Sequence, residues 1–441
     1  MSFVLWYVGV RLRGGSGVLD HSPIDQHTRQ AQSWLDGRLD LPGAPGYLEI
    51  ARYRDRFYDS FPPTPSLFEL PLVLLFGRAT PSSLVIYLFW LGALGAAFVV
   101  LRRRGFAERD AVLASLAFVF ATNVYPSCVR ANVWAQGSSL GFSLTLIGLA
   151  FVVENRRRAG RGPGPGYLLL SLAVGCRPLL LLMAPLFVVL DHRTCGRSLR
   201  QAITSALLWM APGGALLAGL NWARFGDVLE FGHHHLAFAR NLPHGLMSPH
   251  YLPWHFYHAV LKLPRIQARW PPLEFDMNGT AFWLHNPVLV AALGGLLARR
   301  FDPWIRAAAV LAFATIGAGI LMYESGGWVQ FGFRYVIDLL PAGFVVFAFA
   351  FDRFPRLLLA ASIATLAINV YGLAGWKHFP RQPRDAPWLQ GQPAASPPPD
   401  VFRSREMNPR SLIERGGLLV PPDPPLPLTS RSRAVPPNKE G

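Results

Sequence analysis

Eight apolar runs divide this chain, at about 84–101, 111–127, 136–153, 203–222, 285–298, 306–323, 335–351 and 356–374. Most approach the roughly 20 residues that a helix needs to cross a bilayer. Composition agrees. Of the 441 residues 51% are hydrophobic and 15% charged, whereas a soluble domain averages about 25% charged. The expected fold is therefore an all-α polytopic membrane protein.

Charge sets the direction of the threading. Lys and Arg number 42 against 26 Asp and Glu, and the arginines cluster between apolar runs. RRRGFAERD (102–110) and ENRRRAGRG (154–162) are short basic loops of the kind that stay cytoplasmic. This accounts for the basic balance through topology and lipid contact, with no nucleic-acid partner. Residues 11–83 and 128–135 then lie outside. The run at 167–190 starts inside and is followed by another basic loop, DHRTCGRSLRQ (191–201). One crossing would put that loop on the wrong side. Arg177-Pro178 at its middle resolves the conflict. Proline breaks a helix and arginine is unwelcome at mid-bilayer, so two short helices are expected to form a hairpin returning to the cytoplasm. The later runs place 223–284 and 324–334 outside, and ARRFDPW (298–304) and FDRFPR (351–356) inside.

FVLWYVGV (3–10) is too short to span and reads as the end of a first span or as an interfacial anchor. SLFELPLVLLFG (66–77), with Glu69 and Pro71, reads as interfacial. IDQHTRQAQSWLDGRL (24–39) reads as an amphipathic helix lying on the membrane. Residues 1–375 form the membrane domain. The Pro- and Arg-rich stretch at 376–441 is expected to be a disordered tail. Cys128, Cys176 and Cys195 suggest no disulfide framework.

Four polar clusters fall on the outer side. LDHSPIDQHTRQ (19–30) offers Asp20, His21, Asp25 and His27. A carboxylate beside a histidine suits general-base work, and Ser22 or Asp25 also suits helix capping. RYRDRFYDSFPPTP (52–65) carries Arg52, Arg54 and Arg56, which suit lipid phosphate, a phosphorylated substrate or simple surface anchoring. NWARFGDVLEFGHHHL (221–236) contains His233 within three consecutive histidines. Adjacent residues point to different faces, so no metal is assigned to them. GGWVQFGFRYVIDLLP (326–341) opens an apolar run with Gln330, Arg334 and Asp338. Arg334 and Asp338 stand at i, i+4, which on an α-helix makes an ion pair. The planar donors of Arg334 also suit phosphate.

Read together, HTRQAQSWLDGRLDLP (27–42), RFYDSFPPTPSLFELPLVLLFG (56–77), NWARFGDVLEFGH (221–233) and GWVQFGFRYVIDLLP (327–341) resemble the GT-C superfamily of membrane-embedded glycosyltransferases. More narrowly, the chain resembles a group of bacterial multi-spanning glycosyltransferases over most of residues 11–375. The resemblance implies a GT-C-like bundle of roughly 9–11 transmembrane helices, with two long extracytoplasmic loops carrying interfacial helices. It implies a plasma-membrane enzyme that takes a sugar from a polyprenyl-phosphate donor to a glycan, lipid or protein acceptor, with inversion. It assigns Asp25, or else Asp20, as general base and Arg334 to the lipid phosphate. Asp338, Gln330, His27, His233, Arg52, Arg54 and Arg56 become substrate-side candidates. No cofactor beyond the lipid-linked donor is implied, and a divalent metal requirement stays open. The competing reading is a multi-spanning transporter or lipid flippase, which would also explain a broken helix and intramembrane charge.

Overall fold

The computed structural model describes residues 2–379, apart from 14–16, 20, 23, 44–48, 130, 155–161, 237–238, 240–241, 277 and 328–329. The segment expected to be a tail lies outside the described residues from 380 onward. Residues 376–379 are packed, because Trp376 and Phe379 bury their rings against Phe275 and Phe331.

The chain is a helical bundle with two small β-hairpins. It begins with α1 (Ser2–Arg13) and α2 (Gln26–Leu35). A hairpin of β1 (Ile50–Tyr53) and β2 (Arg56–Asp59) follows, then α3 (Thr64–Phe76). The run at 84–101 becomes α4 (Ser82–Arg103), and 111–127 becomes α5 (Glu108–Phe120) plus the short α6 (Val124–Cys128). Next come α7 (Val133–Glu154), α8 (Gly164–Val174), a 3-10 helix over Pro178–Met183, α9 (Ala184–Cys195) and α10 (Leu199–Phe225). The second long loop carries α11 (Leu252–Phe256) and ends in α12 (Phe282–His285), and beyond it lie α13 (Pro287–Ala292), α14 (Pro303–Met322), α15 (Leu340–Arg353) and α16 (Pro355–Gly375). Among the described residues, seven helices are long and apolar enough to cross a membrane, and three shorter apolar ones accompany them.

The expected hairpin at Arg177-Pro178 is present. The helix stops because Pro178 has no amide proton and pushes Arg177 into an extended conformation (φ −145°, ψ 101°). Four contacts with α7 trace the path. Gly166 meets Gly148, Arg177 meets Gly141 nearer the start of α7, and Phe187 comes back to Gly148. Cys195 Sγ then reaches the Val152 carbonyl at 3.3 Å. The chain thus climbs and returns to the end it left. Gly175 at the tip must be glycine, since a Cβ there would meet Thr64 Oγ1 at 2.0 Å. The Thr64 amide donates to the Gly175 carbonyl at 3.0 Å, which docks the start of α3 on the hairpin tip.

The two ends of the bundle differ in chemistry. At one end the arginine-bearing turns meet, with Arg193 on Asp302 at 2.6 Å and Arg104 stacked 3.5 Å from the Phe349 ring centre. At the other end the described parts of the loops 17–81, 226–281 and 323–333 come together near the hairpin tip.

One element departs from expectation. The polar face of α2 points into the protein. Gln26, His27, Thr28, Arg29 and Gln30 are buried and Leu35 is 40% exposed. Polar side chains go inside when partners satisfy them, and α3 and α7 supply those partners. Thr28 Oγ1 donates to Glu69 at 2.6 Å, and Gln136 Nε2 donates to the same carboxylate at 2.7 Å. Ser66 Oγ donates to Gln30 Oε1 at 2.8 Å.

Candidate active site at the loop-covered end

Gln330 clasps the backbone on either side of itself. Gln330 Nε2 donates to the carbonyls of Asn278 (2.8 Å), Gly326 (2.9 Å) and Gly327 (3.1 Å). Its Oε1 accepts the Arg334 amide at 2.9 Å. Gly327 takes a φ of +79°, which an L side chain resists. Gln330 therefore sets where Arg334 begins, and its side chain is spent on backbone groups.

The expected Arg334–Asp338 pair is not formed. Residues 334–339 are a 3-10 helix. With three residues per turn, position i+4 sits about a third of a turn away from i, so the two side chains diverge. Asp338 instead accepts Arg177 from the hairpin tip, from Nε at 2.9 and 3.2 Å and from Nη2 at 2.7 Å. This fork-on-carboxylate geometry is the strong form of the interaction. Asp338 is buried, and Arg177 keeps 25% of its side chain exposed.

Arg334 consequently has no carboxylate partner among the described residues. Its guanidinium lies over the rings of Trp134 (5.7 Å) and Tyr335 (5.2 Å), and its Nε is buried without a hydrogen-bond acceptor. It lines a cavity of about 40 Å³ with Ser127, Asn132, Trp134, Ser138 and Gln330. Arg177 sits on the same Tyr335 ring, 4.9 Å from its centre. A carboxylate that feels the charge of Arg334 is Glu49, a half-buried residue just before β1. Burial raises its pKa, opposed by the charge of Arg334 and a hydrogen bond from Trp134, and aided by repulsion from Asp59.

Aromatic rings join this corner to α2. Trp134 meets Phe61 edge-on at 6.5 Å, Phe61 meets His233 at 6.3 Å, and His233 meets Tyr323 at 6.3 Å. Phe61 also meets His27 at 6.0 Å, and His27 Nδ1 lies 3.4 Å from Asp59 Oδ2. His233 is driven down to a pKa of about 4, chiefly by burial, so it is neutral at ordinary pH. Its two neighbours do other things. His234 bonds Glu230, and His235 packs on Tyr53 and Phe225.

Asp25 heads α2. Its Oδ1 accepts Arg29 Nε at 2.7 Å and its Oδ2 faces His21 Nε2 at 3.2 Å. Asp25 itself makes no side-chain cap. The other nitrogen of His21 lies 2.9 Å from the Thr80 carbonyl. Burial alone would lower the His21 pKa, but these two acceptors outweigh it and raise it. A proton reaching Asp25 thus has a histidine beside it, with 23% of its side chain exposed.

Of the sequence candidates, the structure gathers Asp25, His27, His233, Gln330, Arg334 and Asp338 at one end of the bundle. Arg52, Arg54 and Arg56 lie at the same end but point away, exposed on the β1–β2 hairpin, with Arg52 on Asp55 at 2.8 Å and Arg56 toward Asp40 at 4.0 Å. Asp20 lies outside the described residues. Sequence reasoning missed Glu49, Asp59, Trp134 and Tyr335, and saw Arg177 only as a helix breaker. Glu49 follows a Pro- and Gly-rich stretch with no motif, and its one signal is a lone carboxylate directly before a strand. Among the described residues, no cluster of three or more His, Cys, Asp or Glu side chains could hold a metal ion.

No family model matches the chain, and no curated protein matches its sequence. Solved structures are similar to it at low identity. ArnT from Cupriavidus metallidurans, bound to undecaprenyl phosphate, superposes with a TM-score of 0.47 at 15% identity, over 80% of this chain and 59% of that one. The apo oligosaccharyltransferase of Archaeoglobus fulgidus superposes at 0.42 and 13% identity, over 95% and 59%. AglB from the same organism, in complex with an inhibitory peptide and a dolichol-phosphate, superposes at 0.43 and 13%, over 88% and 56%. The chain spans little more than half the length of each.

Proposed function

We propose that the protein is a membrane-embedded glycosyltransferase that moves a sugar from a polyprenyl-phosphate donor to an acceptor hydroxyl at the loop-covered end of the bundle. The observation that carries this is Arg334, a cation whose backbone is held by Gln330 and which has no carboxylate within ion-pair distance among the described residues. A preplaced guanidinium stabilises a leaving phosphate more than the intact donor, because charge grows on the phosphate as the bond breaks. The aromatic rings and neutral His233 around it offer contacts for a sugar.

In the reaction, the acceptor oxygen attacks the anomeric carbon from the side opposite the phosphate. The carbon–oxygen bond to phosphate breaks, and its electron pair goes to the phosphate oxygen held by Arg334. The acceptor proton passes to Asp25, and His21 beside it offers a route onward to water. Displacement in line inverts the anomeric configuration. The arginine-rich turns occupy the opposite end, which the positive-inside rule puts in the cytoplasm. Transfer would then occur on the outer face of the plasma membrane, to a glycan, lipid or protein acceptor.

The test is transfer by purified protein from synthetic polyprenyl-phosphate sugars. General-base catalysis contributes about 10²–10⁴-fold, so Asp25→Asn should lower kcat by at least about 100-fold. Arg334→Ala should lower kcat/KM steeply. Wild-type rates in both variants would refute the site. Loss in Glu49→Gln with an active Asp25→Asn would move the base to Glu49, which feels the charge of Arg334. Movement of an intact substrate across liposomes with no bond cleaved would favour a transporter instead.

A further inference from the structure

The hairpin tip supplies more than a break in a helix. It brings Arg177 to the ring of Tyr335, where Arg334 already stands. Arg177 gives Nε and Nη2 to Asp338 and leaves Nη1 outside that pair. Its side chain remains partly exposed although Asp338 is buried. Neutralising a buried aspartate does not by itself require Arg177 to stack on the ring that Arg334 shares. The Thr64–Gly175 hydrogen bond fixes the tip against α3, so the position of Arg177 is set by backbone as well as by Asp338.

The charges around Tyr335 are unequal. Arg177 is balanced by Asp338. Arg334 is balanced by no carboxylate within ion-pair distance among the described residues, and burial disfavours the charge on Glu49. Among the described residues Arg334 thus offers a positive charge with no ion-pair partner, and Arg177 a second, neutralised set of N–H donors. A phosphodiester carries one negative charge. It becomes a doubly charged phosphomonoester when the sugar leaves.

We propose that Arg177 is a second phosphate-binding catalytic residue, with Asp338 as its positioning residue, and that the pair tunes this site to a phosphodiester-linked donor in preference to a diphosphate-linked one. This rests on the reading of Arg334 as the phosphate site. In the donor complex Arg334 meets the single charge. As the second charge develops, Nη1 of Arg177 donates to it. Asp338 keeps the resting site from holding two free cations, which would bind the doubly charged product too tightly to release it.

The probes are undecaprenyl phosphate and undecaprenyl diphosphate, and the readout is Kd for the full chain in detergent at pH 5 and pH 8. The second phosphomonoester ionisation lies near pH 6, so the first probe changes from one charge to two between these conditions. Arg334→Gln should weaken the monophosphate about 10-fold or more at both pH values. The double variant Arg177→Gln/Asp338→Asn keeps a neutral hydrogen-bonding pair at the tip and should elute as wild type in size exclusion. It should weaken the monophosphate several-fold at pH 8 and little at pH 5. Asp338→Asn alone should tighten the pH 8 complex. The wild type should bind the diphosphate no more tightly than the monophosphate. An unchanged Kd in Arg334→Gln, or no binding by the wild type, overturns the phosphate site and this inference with it. Loss in Arg334→Gln with the double variant unchanged, or equally weakened at both pH values, overturns the role of Arg177 alone. A 10-fold preference for the diphosphate overturns the assignment of donor class.

Discussion

A partly buried cation with no carboxylate within ion-pair distance costs free energy, and among the described residues Arg334 is held in that state by its surroundings. The Gln330 clasp fixes its backbone, the Trp134 and Tyr335 rings flank its guanidinium, and its Nε is buried without an acceptor. A hydrogen bond to a charged group is worth about 1.5–3 kcal/mol. Arg334→Gln should therefore weaken lipid-phosphate binding by roughly 10- to 100-fold with no loss of thermal stability, measured by ligand titration and unfolding on the same sample. Glu49 adds a pH dependence. Burial, then repulsion from Asp59, raise its pKa against Arg334 and the Trp134 bond. It is thus neutral to a higher pH than an ordinary glutamate. As pH rises through its folded value it ionises and competes for Arg334, so anion affinity should fall. The fold favours the protonated form, so stability should also decline from the ordinary carboxylate range upward through that value. Glu49→Gln should flatten both slopes, and an unchanged profile would remove Glu49 from the site. Asp338→Ala should behave differently from either. It leaves Arg177 without its partner in a partly buried place, and breaking a buried pair costs about 3–5 kcal/mol. A lowered melting temperature would show this.

Helix geometry decided which pair formed. The spacing of Arg334 and Asp338 suggested an ion pair on the assumption of 3.6 residues per turn. Residues 334–339 wind more tightly and send Asp338 to Arg177 instead. Nothing in the one-dimensional pattern marks a 3-10 segment at the head of an apolar run. The break at Arg177-Pro178 was legible, because proline's missing donor is a property of that residue alone. Burial of the polar face of α2 was not legible, because its partners Glu69 and Gln136 lie on α3 and α7. The hairpin packs on α7 through Gly148 and Gly166, where a Cβ on either would come within 3.0 Å of the other's carbonyl. Such close approach is how small residues pack membrane helices. Gly148→Val should push the hairpin from α7, displacing Arg177 from Tyr335. It should lower both thermal stability and lipid-phosphate affinity, whereas Gly95→Val, which meets open space, should change neither.

At the scale of the whole molecule, apolar run lengths located six of the eight expected spans, and the hairpin's return was legible too; 111–127 is split between α5 and α6, and 285–298 holds only a shorter apolar helix. Run lengths and arginine placement could not show that segments separated by some 200 residues come together at one end of the bundle. His27, Trp134, His233, Tyr323 and Arg334 meet only because the bundle delivers their loops to the same end. The return path makes a topological prediction. Single cysteines introduced at Gly162 and Ser198 should react with an impermeant thiol reagent from the same side of the membrane, opposite to cysteines at Asp227 and Trp270. Labelling of Gly162 and Ser198 from opposite sides would exclude the hairpin.

The account turns on what Arg334 meets. A cryo-electron microscopy map of the full chain with undecaprenyl phosphate, at a resolution that shows side chains, tests this most directly. The phosphate should be found against the Arg334 guanidinium, beside Tyr335 and within reach of Arg177 Nη1, with the lipid tail leaving toward the membrane. A phosphate bound elsewhere, with Arg334 still facing Trp134 and Glu49 alone, would contradict the proposed site.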